Sequence, residues 1–195
     1  MNNSYDVAII GCGTAGIFAG YELIARHPEL KICVLDQGGD IYSRHCPIVA
    51  GKVKECIHCS VCDTMCGFGG AGAFSDGKLN TGTKDVRHRY IMEQLVACGA
   101  PEDILWDAKP HVGTDMLHIA LKNMRNELTA LGADIRFGHK LTGVSAENGR
   151  LSALTVEGPE GAYTLPCRQA LLALGHSARD TVEMLYKNGA QIIQK

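Results

Sequence analysis

Apolar and polar residues follow one another along the chain in blocks that predict a mixed α/β protein. The first apolar run, YDVAII, is short and rich in β-branched residues, which is typical of a buried strand. The next run has helical spacing, with Ile17, Tyr21 and Ile24 on one face. A second short apolar run, KICVLD, ends at Asp36. The first forty residues therefore predict a strand, a helix and a second strand.

Two amphipathic helices are predicted in the middle of the chain. One begins at about Asp85, a good N-cap residue, and ends at Gly99. The other is capped by Thr114 or Asp115 and ends at Gly132. The predicted buried stripe of this second helix consists of Leu117, Leu121, Met124, Leu128 and Leu131.

The last third of the chain is predicted to contain mainly strands. ADIRF predicts one strand, and KLTGVSA and RLSALTVE predict a hairpin whose turn is Asn148-Gly149. AYTLPC follows a Gly-Pro-Glu-Gly turn, and QALLALG predicts a further buried strand before the helix SARDTVEMLYKNG. The predicted fold class is therefore α/β, a Rossmann-like parallel sheet with a three-stranded antiparallel β-meander.

Composition and charge narrow the class of protein. With 195 residues, 46% apolar residues, 21% charged residues and a formal net charge of −2, the chain predicts one soluble globular domain. This charge gives no reason to expect nucleic acid or a membrane surface as a partner. The N-terminal apolar run is broken by glycines and followed by Glu22 and Arg26, so it predicts neither an export signal nor a membrane span. We therefore expect a cytoplasmic location, where closely spaced cysteines favour metal or redox chemistry.

Three glycines between the first strand and the first helix form the pattern G-x-G-x-x-G: Gly11, Gly13 and Gly16. The first permits a tight turn, the second lets the backbone approach a pyrophosphate, and the third lets the helix pack closely against the sheet. The N–H groups around Thr14 and Ala15 are expected to face the phosphates. Asp36 is expected to accept hydrogen bonds from ribose hydroxyls, which makes NADP the least fitting dinucleotide. The motif alone does not separate FAD from NAD.

Four cysteines follow the spacing C-x2-C-x2-C-x3-C of bacterial ferredoxins: Cys56, Cys59, Cys62 and Cys66. A [4Fe-4S] cluster is the leading interpretation of this spacing. The fourth cysteine of such a run usually serves another cluster, so Cys46 is the candidate for a remote fourth ligand. A zinc site, a redox-active thiol pair and unligated cysteines remain open alternatives.

The order of GCGTAG, VLDQG, GFGGAGAFSDGKLN, KPHVGTD, the meander and LALGHSARDT resembles a family of poorly characterised FAD-dependent dehydrogenases. This FAD-utilising family is itself similar to the glutathione-reductase-like flavoproteins, and the resemblance covers essentially the whole chain. It implies FAD at the sheet edge, with the first glycine loop at the pyrophosphate and Asp36 at the ribose. It further implies that the backbone of Leu141 meets adenine and that Gly175 lies beside the cofactor. By the same resemblance, three glycines lie near the ribityl chain or flavin: Gly69, Gly70 and Gly72.

Other polar residues near these motifs are weaker candidates. His176 and Arg179 follow Gly175 and are expected either to touch FAD or substrate or to begin an exposed helix. A second group either orients flavin or substrate or forms a polar turn: Ser75, Asp76 and Lys78. The sequence assigns no catalytic acid or base.

Related flavoproteins are longer and return to the FAD-binding domain with a Gly-Asp motif, and no Gly-Asp pair follows Gly175 in this chain. We therefore expect an incomplete FAD-binding domain at 1–195, an N-terminal half with a Cys/Gly-rich insertion at about 40–110. The predicted function is that of an FAD-dependent oxidoreductase whose flavin carries hydride or electron transfer to an unidentified substrate. The alternative is a non-catalytic fragment or split subunit, partnered by a separate C-terminal half, that transfers electrons through an Fe–S cluster. An NAD-binding dehydrogenase ranks third.

Overall fold

The computed structural model describes residues 4–75, 77–79 and 85–193. Its helices and strands in chain order are β1 (Tyr5–Ile10), α1 (Thr14–Arg26), β2 (Ile32–Asp36), α2 (Arg87–Ala97), α3 (Thr114–Ala130), β3 (Asp134–Phe137), β4 (Lys140–Glu147), β5 (Arg150–Gly158), β6 (Gly161–Leu172) and α4 (Arg179–Lys187). Two 3₁₀-helices, Gly70–Phe74 and Glu102–Leu105, lie between β2 and α3. Among the described residues, no helix is both long and apolar enough to cross a membrane.

All six strands belong to one sheet with the order β3-β2-β1-β6-β5-β4. β1 pairs in parallel with β2 and with β6, and β2 pairs in parallel with β3. β5 pairs antiparallel with both β4 and β6. The predicted combination of a Rossmann-like parallel sheet and a three-stranded antiparallel meander is confirmed.

The strand β6 corrects the prediction of two separate strands, AYTLPC and QALLALG. It is one strand whose first half pairs with β5 as far as Pro166 and whose second half pairs with β1 from Cys167 onward. No glycine, asparagine or aspartate interrupts residues 162–172, so the chain offers no turn that would end the strand. Pro166 lies at the point where the strand changes partner, and proline is tolerated in strands mainly at such edges and irregularities.

The two faces of the parallel sheet pack against different layers. Ile9 faces a core that includes Ile17 of α1 and Met124 of α3. Alternate residues point the opposite way, so Leu35 of β2 faces a second core that includes Leu154 of the meander. The meander therefore covers the face of the sheet that the helices leave open, and it carries the start of β4 to the carboxyl end of β2.

The helix ends differ in part from the predictions. Asp85 accepts a hydrogen bond from the backbone N–H of Arg87 (2.9 Å), so its side chain does stabilise the start of α2. At α3, neither Thr114 nor Asp115 is the cap: the cap residue is Gly113, with a φ of 79°. Leu131 is 51% exposed because it lies beyond the last residue of α3, so it does not belong to the buried stripe.

The predicted hairpin turn is confirmed. Asn148 and Gly149 have φ values of 53° and 73°, and Glu147 pairs with Arg150. Positive φ at both central residues is the geometry of a type I′ turn, which asparagine and glycine adopt readily.

A polar network joins the meander to the parallel sheet on the side away from the helices. Arg136 donates hydrogen bonds to Asp134 (2.7 Å), to the hydroxyl of Tyr5 (2.8 Å) and to that of Tyr163 (3.1 Å). Tyr5 also donates to Asp134. Burial opposes ionisation of Asp134, but the hydrogen bonds from Arg136 and Tyr5 outweigh it and lower the pKa of this carboxyl group.

Candidate functional site

A cleft of about 410 Å³ opens at the carboxyl ends of β1, β2 and β6. β1 lies in the middle of the parallel strands, and the chain runs from it first to β2 and β3 on one side and later to β6 on the other. Ligands of open α/β sheets bind outside the carboxyl ends of the strands at such a reversal of strand order. The position of the cleft in the fold therefore marks it as the candidate site.

All but one of the residues predicted to contact a cofactor line this cleft: Gly11, Gly13, Thr14, Ala15, Asp36, Gly69, Gly70, Gly72, Leu141 and Gly175. The exception, Gly16, lies beneath the cleft, where α1 packs on the turn that precedes it. The structure thus brings together residues from five separate segments of the chain. Their individual contacts with a cofactor remain predictions.

The three glycines of the first loop differ in whether the fold itself requires a glycine. A Cβ on Gly11, whose φ is +108°, would lie 2.3 Å from the carbonyl oxygen of Ala173. A Cβ on Gly16 would lie 1.9 Å from the carbonyl oxygen of Gly11. A Cβ on Gly13 would come no nearer than 3.8 Å to any protein atom, and the φ of Gly13 is an ordinary −75°. The fold requires Gly11 and Gly16, whereas Gly13 leaves open a space that a ligand can use.

The first turn of α1 provides an electrostatic reason for an anion to bind beside Gly13. α1 begins at Thr14, and the residues of its first turn include no acid. Thr14 and Ala15 are exposed on the cleft wall. The N–H groups at the start of a helix lack intrahelical partners and lie at the positive end of the helix dipole. A phosphate group fits this end of the cleft.

Asp36 holds three segments of the cleft wall together. One carboxylate oxygen accepts a hydrogen bond from the N–H of Cys12 (2.7 Å), and the other accepts from the N–H groups of Gly38 (2.8 Å) and Gly67 (2.7 Å). The residue is 8% exposed. Asp36 therefore has a structural role that the spacing of the motif did not indicate. Its contact with a ribose stays a prediction.

A second glycine loop, residues 67–72, forms the wall opposite the first. The N–H of Gly69 donates to the carbonyl oxygen of Cys12 (2.8 Å), which joins the two loops. A Cβ on Gly70 would lie 3.0 Å from the Cα of Gly13. A Cβ on Gly72 would have no protein atom within 4 Å. The backbones of the two loops approach each other closely, and a ligand between them would meet backbone instead of side chains.

Several residues of the cleft were not predicted from the sequence: Gln37, Met65, His139, Lys140, Ser177 and Thr181. They are scattered over turns, a strand end and the first turn of α4, so no single motif indicates them. Lys140 pairs with Asp180 (2.5 Å) and thereby ties α4 to the start of β4 beside the cleft. A buried arginine, Arg44, lies behind the second glycine loop and was also missed.

The weaker candidates have mixed positions. His176 lines the cleft, whereas Arg179 lines a neighbouring groove along α4. Ser75 donates a hydrogen bond to the carbonyl oxygen of Gly72 (2.7 Å), as a turn residue does. Lys78 forms an isolated antiparallel bridge with His111. Asp76 lies outside the described residues.

The structure does not group the four cysteines of the run in the way that a metal centre requires. Cys56, Cys59 and Cys62 are exposed, whereas Cys66 turns inward and its sulfur accepts a hydrogen bond from Gln37 (3.1 Å). In the part of the chain that the structure describes, no three His, Cys, Asp or Glu side chains are grouped closely enough to hold a metal ion. The predicted [4Fe-4S] cluster and the zinc alternative are therefore not supported.

The thiols of Cys62 and Cys66 differ in acidity although they lie in one turn. A hydrogen bond with the hydroxyl of Thr64 (3.0 Å) lowers the pKa of Cys62. Burial raises the pKa of Cys66, which lines the cleft. Cys62 is thus the more nucleophilic of the two thiols at neutral pH.

The comparisons with sequences find relatives that are much longer than this chain. No model of a known protein family matches it. An uncharacterized protein of Clostridium beijerinckii is 38% identical over 187 residues, which are 96% of this chain and 34% of that protein. The mitochondrial L-2-hydroxyglutarate dehydrogenase of Nematostella vectensis is 42% identical over 57 residues, which are 29% of this chain and 12% of that protein. The chain spans about a third of the length of the first of these relatives.

The comparisons with solved structures concern the fold. THI4 of Thermovibrio ammonificans has a TM-score of 0.57 and 16% identity, over 97% of this chain and 64% of its own. Glycine oxidase of Bacillus cereus has a TM-score of 0.55 and 16% identity, over 87% of this chain and 55% of its own. The chain thus has the Rossmann-like fold with a β-meander that the sequence predicted, and it matches only part of each of these proteins.

Proposed function

We propose that this chain is the FAD-binding part of an FAD-dependent oxidoreductase. The observation that carries the proposal is the cleft itself, where Gly13 leaves open space next to the start of α1 and faces a second glycine loop. A dinucleotide needs such a backbone-lined space for its pyrophosphate, because side chains would keep the phosphates away from the helix N–H groups.

The residues of the cleft fit the parts of FAD in order. Gly11, Gly13 and the N–H groups at the start of α1 would hold the pyrophosphate. Asp36 would reach a ribose, and the backbone at Leu141 would border the adenine. The second glycine loop and Gly175 would border the ribityl chain and the flavin. When bound, the flavin would supply the capacity to accept a hydride or electrons, and the protein would supply position and electrostatics.

One structural observation supports FAD over NAD as the ligand, and the comparisons support an oxidoreductase. A long segment between β2 and α2 turns back over the cleft and contributes the second glycine loop, which a compact NAD-binding unit does not need. The proteins similar in fold or in a shared segment include a glycine oxidase and an L-2-hydroxyglutarate dehydrogenase, whose names are those of oxidoreductases. The iron–sulfur alternative has no comparable support. The small-molecule substrate or electron donor and the cytoplasmic location remain predictions.

We further propose that a C-terminal half, in the same or in a separate polypeptide, completes the sheet. Within the described ranges, the second half of β6 pairs with β1 along one edge and has no partner strand along the other. Leu171 and Leu172 on this strand are 37% and 47% exposed. On the adjacent α4, Val182 and Tyr186 are 42% and 65% exposed. An exposed apolar strand edge of this kind favours pairing with another segment.

Anaerobic purification followed by ligand titration tests the proposal. We expect the protein to carry flavin bands that bleach with dithionite, or to quench the fluorescence of added FAD more strongly than that of FMN. The Gly13→Ala variant is the matched control, since it should keep the fold and bind FAD more weakly. Binding of NAD⁺ without any binding of FAD would refute the FAD assignment. A folded protein that binds neither would refute the dinucleotide site.

A further inference from the structure

Arg44 is a buried cation that no motif of the sequence indicates. The residue is 4% exposed, and it lies in the turn region after β2. Its guanidinium group donates to three backbone carbonyl oxygens: those of Asp63 (2.9 Å), Phe68 (2.7 Å) and Gly70 (2.8 Å). The same group lies 4.8 Å from the centre of the Phe74 ring. One side chain thus holds the second glycine loop at Phe68 and Gly70 and joins it to Asp63.

Two backbone N–H groups of the second glycine loop also donate hydrogen bonds to neighbouring segments of the chain. The N–H of Gly67 donates to Asp36 (2.7 Å), and the N–H of Gly69 donates to Cys12 (2.8 Å). Gly67 has no room for a side chain, because a Cβ there would lie 2.4 Å from the carbonyl oxygen of Gly39 and 2.7 Å from the Cδ of Arg44. The position of the loop therefore depends on both Asp36 and Arg44.

The direction of the carbonyl groups matters for what the cleft can bind. Gly70 lines the cleft, but its carbonyl oxygen is bonded to Arg44, which lies outside the lining. A carbonyl oxygen carries partial negative charge, so one that pointed into the cleft would repel a phosphate group. With this carbonyl turned away, the loop presents glycine Cα atoms to the space beside Gly13.

The positive charge of Arg44 is buried close to two carboxylate groups. Burial lowers the pKa of Arg44, while the nearby carboxylates of Asp36 and Asp63 act to raise it. A guanidinium remains protonated in proteins even so. Its hydrogen bonds to Asp63, Phe68 and Gly70 all go to backbone carbonyl oxygens. This positive charge therefore lies immediately behind a loop that faces the proposed phosphate site.

We infer that Arg44 is a positioning residue of the cleft, which turns the carbonyl groups of the second glycine loop away from the ligand and makes that wall compatible with an anionic dinucleotide. This inference rests on the proposed function, because the ligand it concerns is the proposed one. Its structural half, the ordering of the loop by Arg44, is testable without any ligand.

The experiment compares Arg44 with Arg136 in the complete 195-residue chain. Arg136 is the matched control, since its guanidinium also makes several hydrogen bonds and is partly buried, but it lies outside the cleft lining. Arg44→Ala, Arg44→Lys, Arg136→Ala and Arg136→Lys are each measured for hydrogen exchange in the absence of ligand and for affinity for FAD. Guanidinium ion is then added to the two alanine variants to replace the missing group.

We expect Arg44→Ala to speed exchange at the amides of residues 67–70 and to weaken FAD binding by about ten- to a hundredfold, the size of lost hydrogen bonds to a charged group. Guanidinium should restore part of this affinity in Arg44→Ala and none in Arg136→Ala. Arg44→Lys should keep the charge but recover little affinity, because an ammonium group lacks the planar fork. If Arg44→Ala does not fold, Arg44→Lys decides by the same two measurements.

Two results would overturn the inference. One is hydrogen exchange that becomes faster over the whole sheet in the Arg44 variants, as in the Arg136 variants, and that increases no more at residues 67–70 than elsewhere. The other is unchanged FAD affinity in an Arg44 variant of a chain that binds FAD. Failure of the unaltered chain to bind FAD would instead refute the proposed function, and the exchange data would still decide whether Arg44 orders the loop.

Discussion

Substitution of Gly13 by alanine separates the needs of the fold from the needs of a ligand. The added Cβ would have no protein atom nearer than the Cα of Gly70 at 3.8 Å, and the φ of −75° suits any residue. Replacing glycine by alanine at a compatible position stabilises a protein by about 0.4–1 kcal/mol through the unfolded chain. Alanine is a poorer N-cap than glycine by up to about 1 kcal/mol. These effects offset each other, so we expect the free energy of unfolding to change by less than about 1 kcal/mol.

The affinity of Gly13→Ala for FAD should fall much more than its stability. The new methyl group would occupy the space between the start of α1 and the second glycine loop. Forcing an extra methyl group into a filled site costs about 1–3 kcal/mol, which corresponds to roughly a 5- to 150-fold weaker affinity. Urea unfolding monitored by circular dichroism gives the stability, and fluorescence titration with FAD gives the affinity.

Gly16→Ala provides the contrast within the same loop. Its Cβ would lie 1.9 Å from the carbonyl oxygen of Gly11, so α1 would have to move away from the sheet. We expect this variant to lose several kcal/mol of stability, as severe overpacking does. If Gly13→Ala bound FAD as tightly as the unaltered chain, or if it were destabilised as much as Gly16→Ala, the assignment of the open space to a ligand would be wrong.

Three further predictions concern single side chains. Asp36→Asn should lower the free energy of unfolding, measured in urea, by about 1–3 kcal/mol, because the NH2 group of asparagine would face a backbone N–H group and two donors cannot hydrogen-bond to each other. An unchanged stability would contradict the three hydrogen bonds that Asp36 accepts. Cys62 should be alkylated by iodoacetamide faster than Cys66, and Thr64→Val should slow its reaction, as measured by mass spectrometry at fixed pH; equal rates would refute the difference in acidity. Asp134 has a lowered folded-state pKa, so its charged form stabilises the fold above the ordinary carboxyl pKa, and this stabilisation is lost as the pH falls through the folded-state value. The melting temperature of Asp134→Asn should therefore fall below that of the unaltered chain at neutral pH and approach it in acid; a pH-independent difference would exclude the linkage.

The parts of the fold that depend on neighbouring residues were predictable from the sequence. Apolar spacing indicated β1, α1 and β2, and the Asn148-Gly149 turn follows from the ease with which these two residues adopt positive φ. The continuity of β6 was not predictable in the same way. Whether a strand continues past Pro166 depends on which strands lie beside it, and that is decided by the packing of distant segments.

In the candidate site, too, features set by local sequence were predictable and contacts between distant segments were not. The glycine motif indicated the turn at β1 because each glycine has a local reason for its position. Arg44 and the second glycine loop are more than twenty residues apart in sequence, so their contact leaves no local pattern. The metal centre that the cysteine spacing predicted has no support in the structure, for a related reason. A metal centre requires thiols that converge in space, and regular spacing is compatible with turns in which they do not.

The double pairing of β6 has a consequence for how the protein folds. β1 leaves the ribosome well before its partner on one edge, residues 167–172, which are made more than 150 residues later. Pairings between segments so far apart in sequence form slowly, because the intervening chain must be closed into a loop first. Until then β1 exposes an apolar strand edge, which is where nascent chains aggregate. The yield of soluble protein should therefore respond to the speed of synthesis and to chaperones that cover strand edges.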